Sequence, residues 1–80
     1  MKDADIHSHI EELVAEEHRL LERAEAGSLP LADRTRLDEV NVALDRYWDL
    51  LRQRRARRDA GQDPAAAQIR SADTVEHYRQ

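Results

Sequence analysis

The chain has 80 residues, no cysteine, and 13 Lys+Arg against 17 Asp+Glu, for a formal charge of −4. Hydrophobic residues make up 40% of it, but 12 are alanine and none is phenylalanine, so it supports one small domain with a thin apolar seam and too little core to enclose a substrate. These counts exclude a disulfide framework and a thiolate metal site, and no apolar run approaches the roughly 18 residues of a membrane span.

From Asp3 to Ala26, the residues Ile6, Ile10, Leu13, Val14, Leu20 and Leu21 fall three and four apart without Gly or Pro. That is the spacing of an amphipathic helix. Asp3 suits its N-cap, where a carboxylate accepts from a first-turn N–H, and Gly27 suits a left-handed residue ending it. The short connection Gly27–Leu31 favours an antiparallel return. Leu37, Val40, Leu44, Tyr47, Trp48 and Leu51 then carry a second helix from Leu31 or Ala32, with Asp33 in its first turn and Gly61 as its stop. In the tail, Asp63-Pro64 fits a cap followed by proline at N1, and Ser71 fits the cap of a further turn bearing Val75 and Tyr78. Met1 to Ile10, with Asp3, Asp5 and two histidines, does not resemble a signal peptide.

The predicted fold is therefore all-α. It is an antiparallel, coiled-coil-like two-helix hairpin over residues 1–61 (helix 3–26, loop 27–31, helix 32–60). A partly helical C-terminal tail, 62–80, packs on that hairpin.

A heptad reading places Ile6, Leu13 and Leu20 at d with Ile10, Glu17 and Ala24 at a. On the second helix it places Leu37, Leu44, Leu51 and Arg58 at d with Asn41, Trp48 and Arg55 at a. Facing layers then pair Leu20 with Asn41, Glu17 with Leu44, Leu13 with Trp48, and Ile6 with Arg55. Glu17 and Asn41 form a polar layer. Either both turn toward water, or they hydrogen-bond across the seam and fix register or oligomeric state. Val14, Leu21, Val40 and Tyr47 widen the stripe beyond what one helix pair covers. That width predicts a homodimer forming a four-helix bundle, the alternative being a monomer whose tail supplies the third layer.

Charge is segregated. Residues 1–27 are net −5 and residues 46–58 are net +5. Arg52, Arg54, Arg55, Arg57 and Arg58 form a basic block beside Tyr47 and Trp48. Guanidinium groups next to aromatics suit nucleic acid, but the chain is acidic overall. The antiparallel return also brings Arg52, Arg54 and Arg55 beside Asp3 and Asp5. Trp48 and Tyr47 fall on the apolar stripe and read as core. An acidic protein partner docked on the arginines is the preferred ligand reading, with charge reversal at Arg54 and Arg57 abolishing it while sparing the helices. Nucleic-acid association through the same block is the alternative. His7, His9 and His18 lack both the His-Glu-x-x-His and the Glu-x-x-His spacing of metal-binding helices. No hydroxyl has a base and an orienting group in view. No cofactor, metal or catalytic residue is expected, and the chain reads as a non-enzymatic interaction or structural module.

Three stretches carry a resemblance: Glu11 to Leu20; Leu44-Asp45 with Trp48 to Arg58; and Gly61-Gln62-Asp63-Pro64 with Val75-Glu76-His77-Tyr78. In this order they resemble a small actinobacterial family known as domain of unknown function 2630. The loop departs from it, with Leu29-Pro30-Leu31-Ala32-Asp33 where members often show Leu-Ser-Pro-Glu-Glu. The resemblance implies a cytoplasmic bacterial protein whose tail belongs to the domain. It implies no activity, ligand or catalytic residue.

Overall fold

Helix α1 spans Asp3–Ala26 and helix α2 spans Leu31–Asp59 in the computed structural model, which describes residues 1–78 and their side chains through Val75. A 3-10 turn at Pro64–Ala66 and helix α3 at Ala72–Tyr78 follow. The described residues contain no strand. The side chain of Tyr78, expected to pair with Val75, lies outside the described set, as do residues 79 and 80.

The helix ends show which local rules hold. Lys2, not Asp3, occupies the cap position of α1, and its backbone N–H donates to Asp5 Oδ2 at 3.0 Å. Asp3 is the first helical residue, so its carboxylate points away from the cap and is available to α2. Gly27 has φ 163°, an extended backbone rather than the expected left-handed one. Gly61 does adopt φ 72°, a region that disfavours a Cβ. There Gly61 N donates to Arg58 O at 3.1 Å and Gln62 N to Arg57 O at 2.7 Å. This is the paired closure of a Schellman motif, which satisfies carbonyls that the helix end leaves open. At the start of α2, the N–H groups of Asp33 and Arg34 both donate to Pro30 O at 3.0 Å.

α1 and α2 run antiparallel and share the main core. Ile6 and Ile10 pack with Val40, Leu44 and Leu50, and Leu13, Val14, Tyr47 and Leu51 close around them. Ile6 and Val40 are fully buried, and burying side chains of this kind stabilises by about 1.5–3 kcal/mol each. On α2 the line facing α1 is Leu37, Val40, Leu44, Tyr47, Leu51 and Arg54, in alternating steps of three and four, with Val40, Leu44 and Arg54 buried and the others half-buried. Asn41, Trp48 and Arg55, expected at a positions, are exposed. The α2 seam thus keeps Leu37, Leu44 and Leu51 but takes its other position one residue earlier, which turns its centre by about 50°, half of one residue's 100° step. Val40 and Tyr47 replace Asn41 and Trp48 in the layers, and this rotation directs Arg54 at Asp3.

The tail returns along α2 on a side away from α1. Few of its residues are apolar, and side chains of α2 hold it largely by its backbone carbonyls. Arg54 Nη1 donates to Pro64 O at 3.2 Å, Gln53 Nε2 to Gln68 O at 2.8 Å, and Arg46 Nε to Arg70 O at 2.9 Å. Asp63 caps the 3-10 turn by accepting from Ala65 N at 2.9 Å. Ser71 Oγ accepts from Thr74 N at 3.3 Å at the start of α3. α3 packs against α2, and its Val75 is buried. Beneath the tail, the buried Asp49 accepts from Gln53 Nε2 at 2.9 Å and faces Arg70 at 3.6 Å and Arg52 at 3.9 Å.

Candidate interaction surface

The arginine block does not act as one unit. Arg54 is 9% exposed and donates through Nε to Asp3 Oδ1, while Nη1 holds the Pro64 carbonyl. Arg58 reaches the other oxygen of Asp3 at 2.9 Å. Two guanidinium groups on one carboxylate hold the Asp3 carboxyl below its ordinary range, Arg54 contributing first and Arg58 second. Arg54 therefore joins the start of α1, the end of α2 and the tail. The expectation that its charge reversal would spare the helices is corrected by this burial: the reversal would set a second carboxylate against Asp3.

Near the loop, a second clamp ties the hairpin. Arg36 grips Glu16 with both branches of its fork, Nε to Oε2 at 2.5 Å and Nη2 to Oε1 at 2.8 Å. That bidentate contact lowers the Glu16 carboxyl and raises the Arg36 guanidinium. Arg23 and Asp33 add a 3.4 Å pair across the loop. Midway, the His9 ring stacks on Tyr47 with centroids 5.2 Å apart and planes within 7°. Glu17 is half-buried and Asn41 is exposed. The two do not hydrogen-bond within the chain, because the turned seam leaves no polar layer for Asn41 to join.

What remains open on the arginine block centres on Trp48. This side chain is 44% exposed, where the heptad reading expected core. It stands between two grooves. One, against α1, is lined by His7, Leu51, Arg52, Arg55 and Arg58 together with Asp3. The other, toward the tail, has a volume of about 540 Å³ and is lined by Asp45, Asp49, Arg52, Gln53 and Arg70. Both are open troughs. Arg55 and Arg57 have no ion-pair partner among the described residues, and Arg52 has only the 3.9 Å approach to Asp49. No group of three or more His, Asp or Glu side chains among the described residues is placed to hold a metal ion. No described helix is long and apolar enough to cross a membrane.

Sequence reasoning placed Arg54 beside Asp3, as found, but missed its hold on the Pro64 carbonyl, the exposure of Trp48 and the burial of Asp49. The only prior signal for the exposure of Trp48 was the presence of two adjacent aromatics, Tyr47 and Trp48, of which one helix face can take just one.

The model of the family described as "Protein of unknown function (DUF2630)" matches residues 2–80. The chain belongs to this family. Its DUF2630 relatives include an uncharacterized protein of Mycobacterium bovis and uncharacterized proteins of two strains of Mycobacterium tuberculosis. Each is 43% identical over 77 residues, covering 95% of this chain and 88% of the relative. No solved structure matches. The DUF2630 match extends over the Trp48 surface and the tail alike, so both belong to the segment these proteins share.

Proposed function

We propose that this DUF2630 protein is a non-catalytic interaction module whose contact surface is the Trp48 face of α2, with Arg52 and Arg55 beside the indole. The observation that carries the reading is Trp48 itself. A tryptophan left 44% exposed between open troughs leaves apolar area in water that a partner would remove. Tryptophan and arginine are also the side chains that most often anchor protein interfaces. The troughs are shallow and charged, a poor setting for sequestered chemistry and a good rim for a protein contact. Nucleic-acid association has less support than the bare sequence gave it. Arg54 and Arg58 are bound to Asp3, leaving Arg52, Arg55 and Arg57 on a chain of charge −4.

The test is a photo-crosslinking residue placed at position 48 and, as a control, at the exposed position 22 of α1, in cells that make the full chain. The proposal expects adducts of discrete mass at position 48 that disappear when Arg52 and Arg55 are both changed to Glu. Equal labelling at the two positions, or adducts to nucleic acid alone, would overturn it.

A further inference from the structure

The open face of α2 carries a charge order with an internal symmetry. Arg34, Asp38, Arg55 and Asp59 are all exposed, and none makes an ion pair among the described residues. At 100° per residue they fall in one sector about 100° wide, shared with Asn41, Trp48 and Arg52, between the α1 seam and the tail. In chain order the four charges read plus, minus, plus, minus. Read from the other end, the order is minus, plus, minus, plus. A helix carrying this pattern is complementary to itself when reversed.

We infer that a second copy of this chain docks on this face, with the two α2 helices antiparallel about a twofold axis. Arg34 of each copy meets Asp59 of the other, and Asp38 of each meets Arg55 of the other. This rests on the reading of the Trp48 face as a contact surface and names its occupant.

Both pairs demand the same register. Positions 34 and 59, and positions 38 and 55, are centred on one point between Arg46 and Tyr47. One alignment therefore makes both pairs twice. Trp48 lies beside that centre, so the two indoles sit about 4.5 Å apart along the axis at 1.5 Å per residue and cover each other. The same register sets Asn41 against Arg52. A parallel alignment would set Arg34 on Arg34 and Asp38 on Asp38, so the charges select the antiparallel one.

The apolar area on this side extends beyond the indole. His7, Val14 and Leu21 lie seven apart on one line of α1, Val14 half-buried against the core. His7 lines the trough beside Trp48, and Leu21 is 43% exposed. The tail covers a different side of α2, and no described residue packs over this one. A standard interface takes about 800 Å² from each partner, roughly a seventh of the 5773 Å² surface. Helix α2, with 29 residues and about 43 Å long, gives such a contact its length, and α1 flanks it.

Sedimentation velocity of the full chain over a concentration series tests the inference. The expected result is a dimer at low salt. Asp38→Arg and Arg55→Asp each weaken it about tenfold or more, as like charges brought together at two symmetric sites require. The combined Asp38→Arg/Arg55→Asp chain recovers most of that loss. Circular dichroism of all four chains should coincide, and recovery in the double variant cannot come from damage to the fold. A chain that stays monomeric at every concentration, or a double variant no better than the singles, would overturn the inference. In the crosslinking experiment above, adducts at position 48 of twice the chain mass support it. Discrete adducts of any other mass overturn it while leaving the interaction module standing, and the absence of adducts sinks both.

Discussion

Arg54 of α2 donates to the carboxylate of Asp3, 51 positions earlier, and in the same geometry holds the carbonyl of Pro64 in the tail. One side chain thus joins the three segments, and it is nearly buried where it does so. Removing it leaves Asp3 to Arg58 alone and the Pro64 carbonyl to the Ala67 N–H alone, and it takes away the side chain that ties both to α2. Arg54→Met should therefore speed amide hydrogen exchange both in the first turns of α1 and across residues 62–70. Arg57→Met, at a half-buried arginine without an ion-pair partner among the described residues, should change neither. Faster exchange in α1 alone would show that the tail does not depend on Arg54.

Acid should loosen the hairpin at both ends. Arg54 and Arg58 hold Asp3, and Arg36 holds Glu16, below the ordinary carboxylate range. A carboxyl whose folded pKa lies below its unfolded value stabilises the fold fully above the unfolded value, near pH 4, and loses that contribution as pH falls through the folded one. The melting temperature should be flat with respect to these groups at neutral pH and decline below about pH 4. In the Asp3→Asn/Glu16→Gln chain the neutral plateau should be lower and the acid decline shallower. A decline of unchanged steepness in that chain would assign acid sensitivity to other groups.

The turned seam makes adjacent residues unequal. Val40 is fully buried and Asn41 is exposed. Val40→Ala should cost about 2 kcal/mol, from lost methyl burial and the space left behind. Asn41→Ala, measured by denaturant unfolding of the dilute chain, should stay within about 0.5 kcal/mol. The heptad with Asn41 and Trp48 at a positions requires Asn41 to matter at least as much as Val40.

Two long helices, the return between them and the stops at Gly61 and Asp63-Pro64 were legible because each is written in local chemistry: periodic apolar residues, a glycine that can take positive φ, an aspartate before a proline. The rotation of α2 was not. Leu37, Leu44 and Leu51 serve two neighbouring heptads equally, one continued by Val40 and Tyr47, the other by Asn41 and Trp48. The sequence pattern favoured the one with the larger aromatic. What decides is non-local: Asp3 reaching Arg54, and a tail whose attachment uses Arg46, Asp49 and Gln53. Polar side chains that bind backbone carbonyls leave no periodic trace, so neither the tail's path nor the burial of Asp49 could be read in advance. The same limit hid the contact surface, because Trp48 becomes a surface residue only once Tyr47 is known to take the core.

The exposure of Trp48 carries the functional reading, and the chain has a single tryptophan, so its fluorescence reports on that side chain alone. In a dilution series carried to the monomer, acrylamide quenching should approach that of the unfolded chain, with the emission maximum shifted toward that of tryptophan in water. A shielded, blue-shifted indole in the folded monomer would return Trp48 to the core and contradict the account.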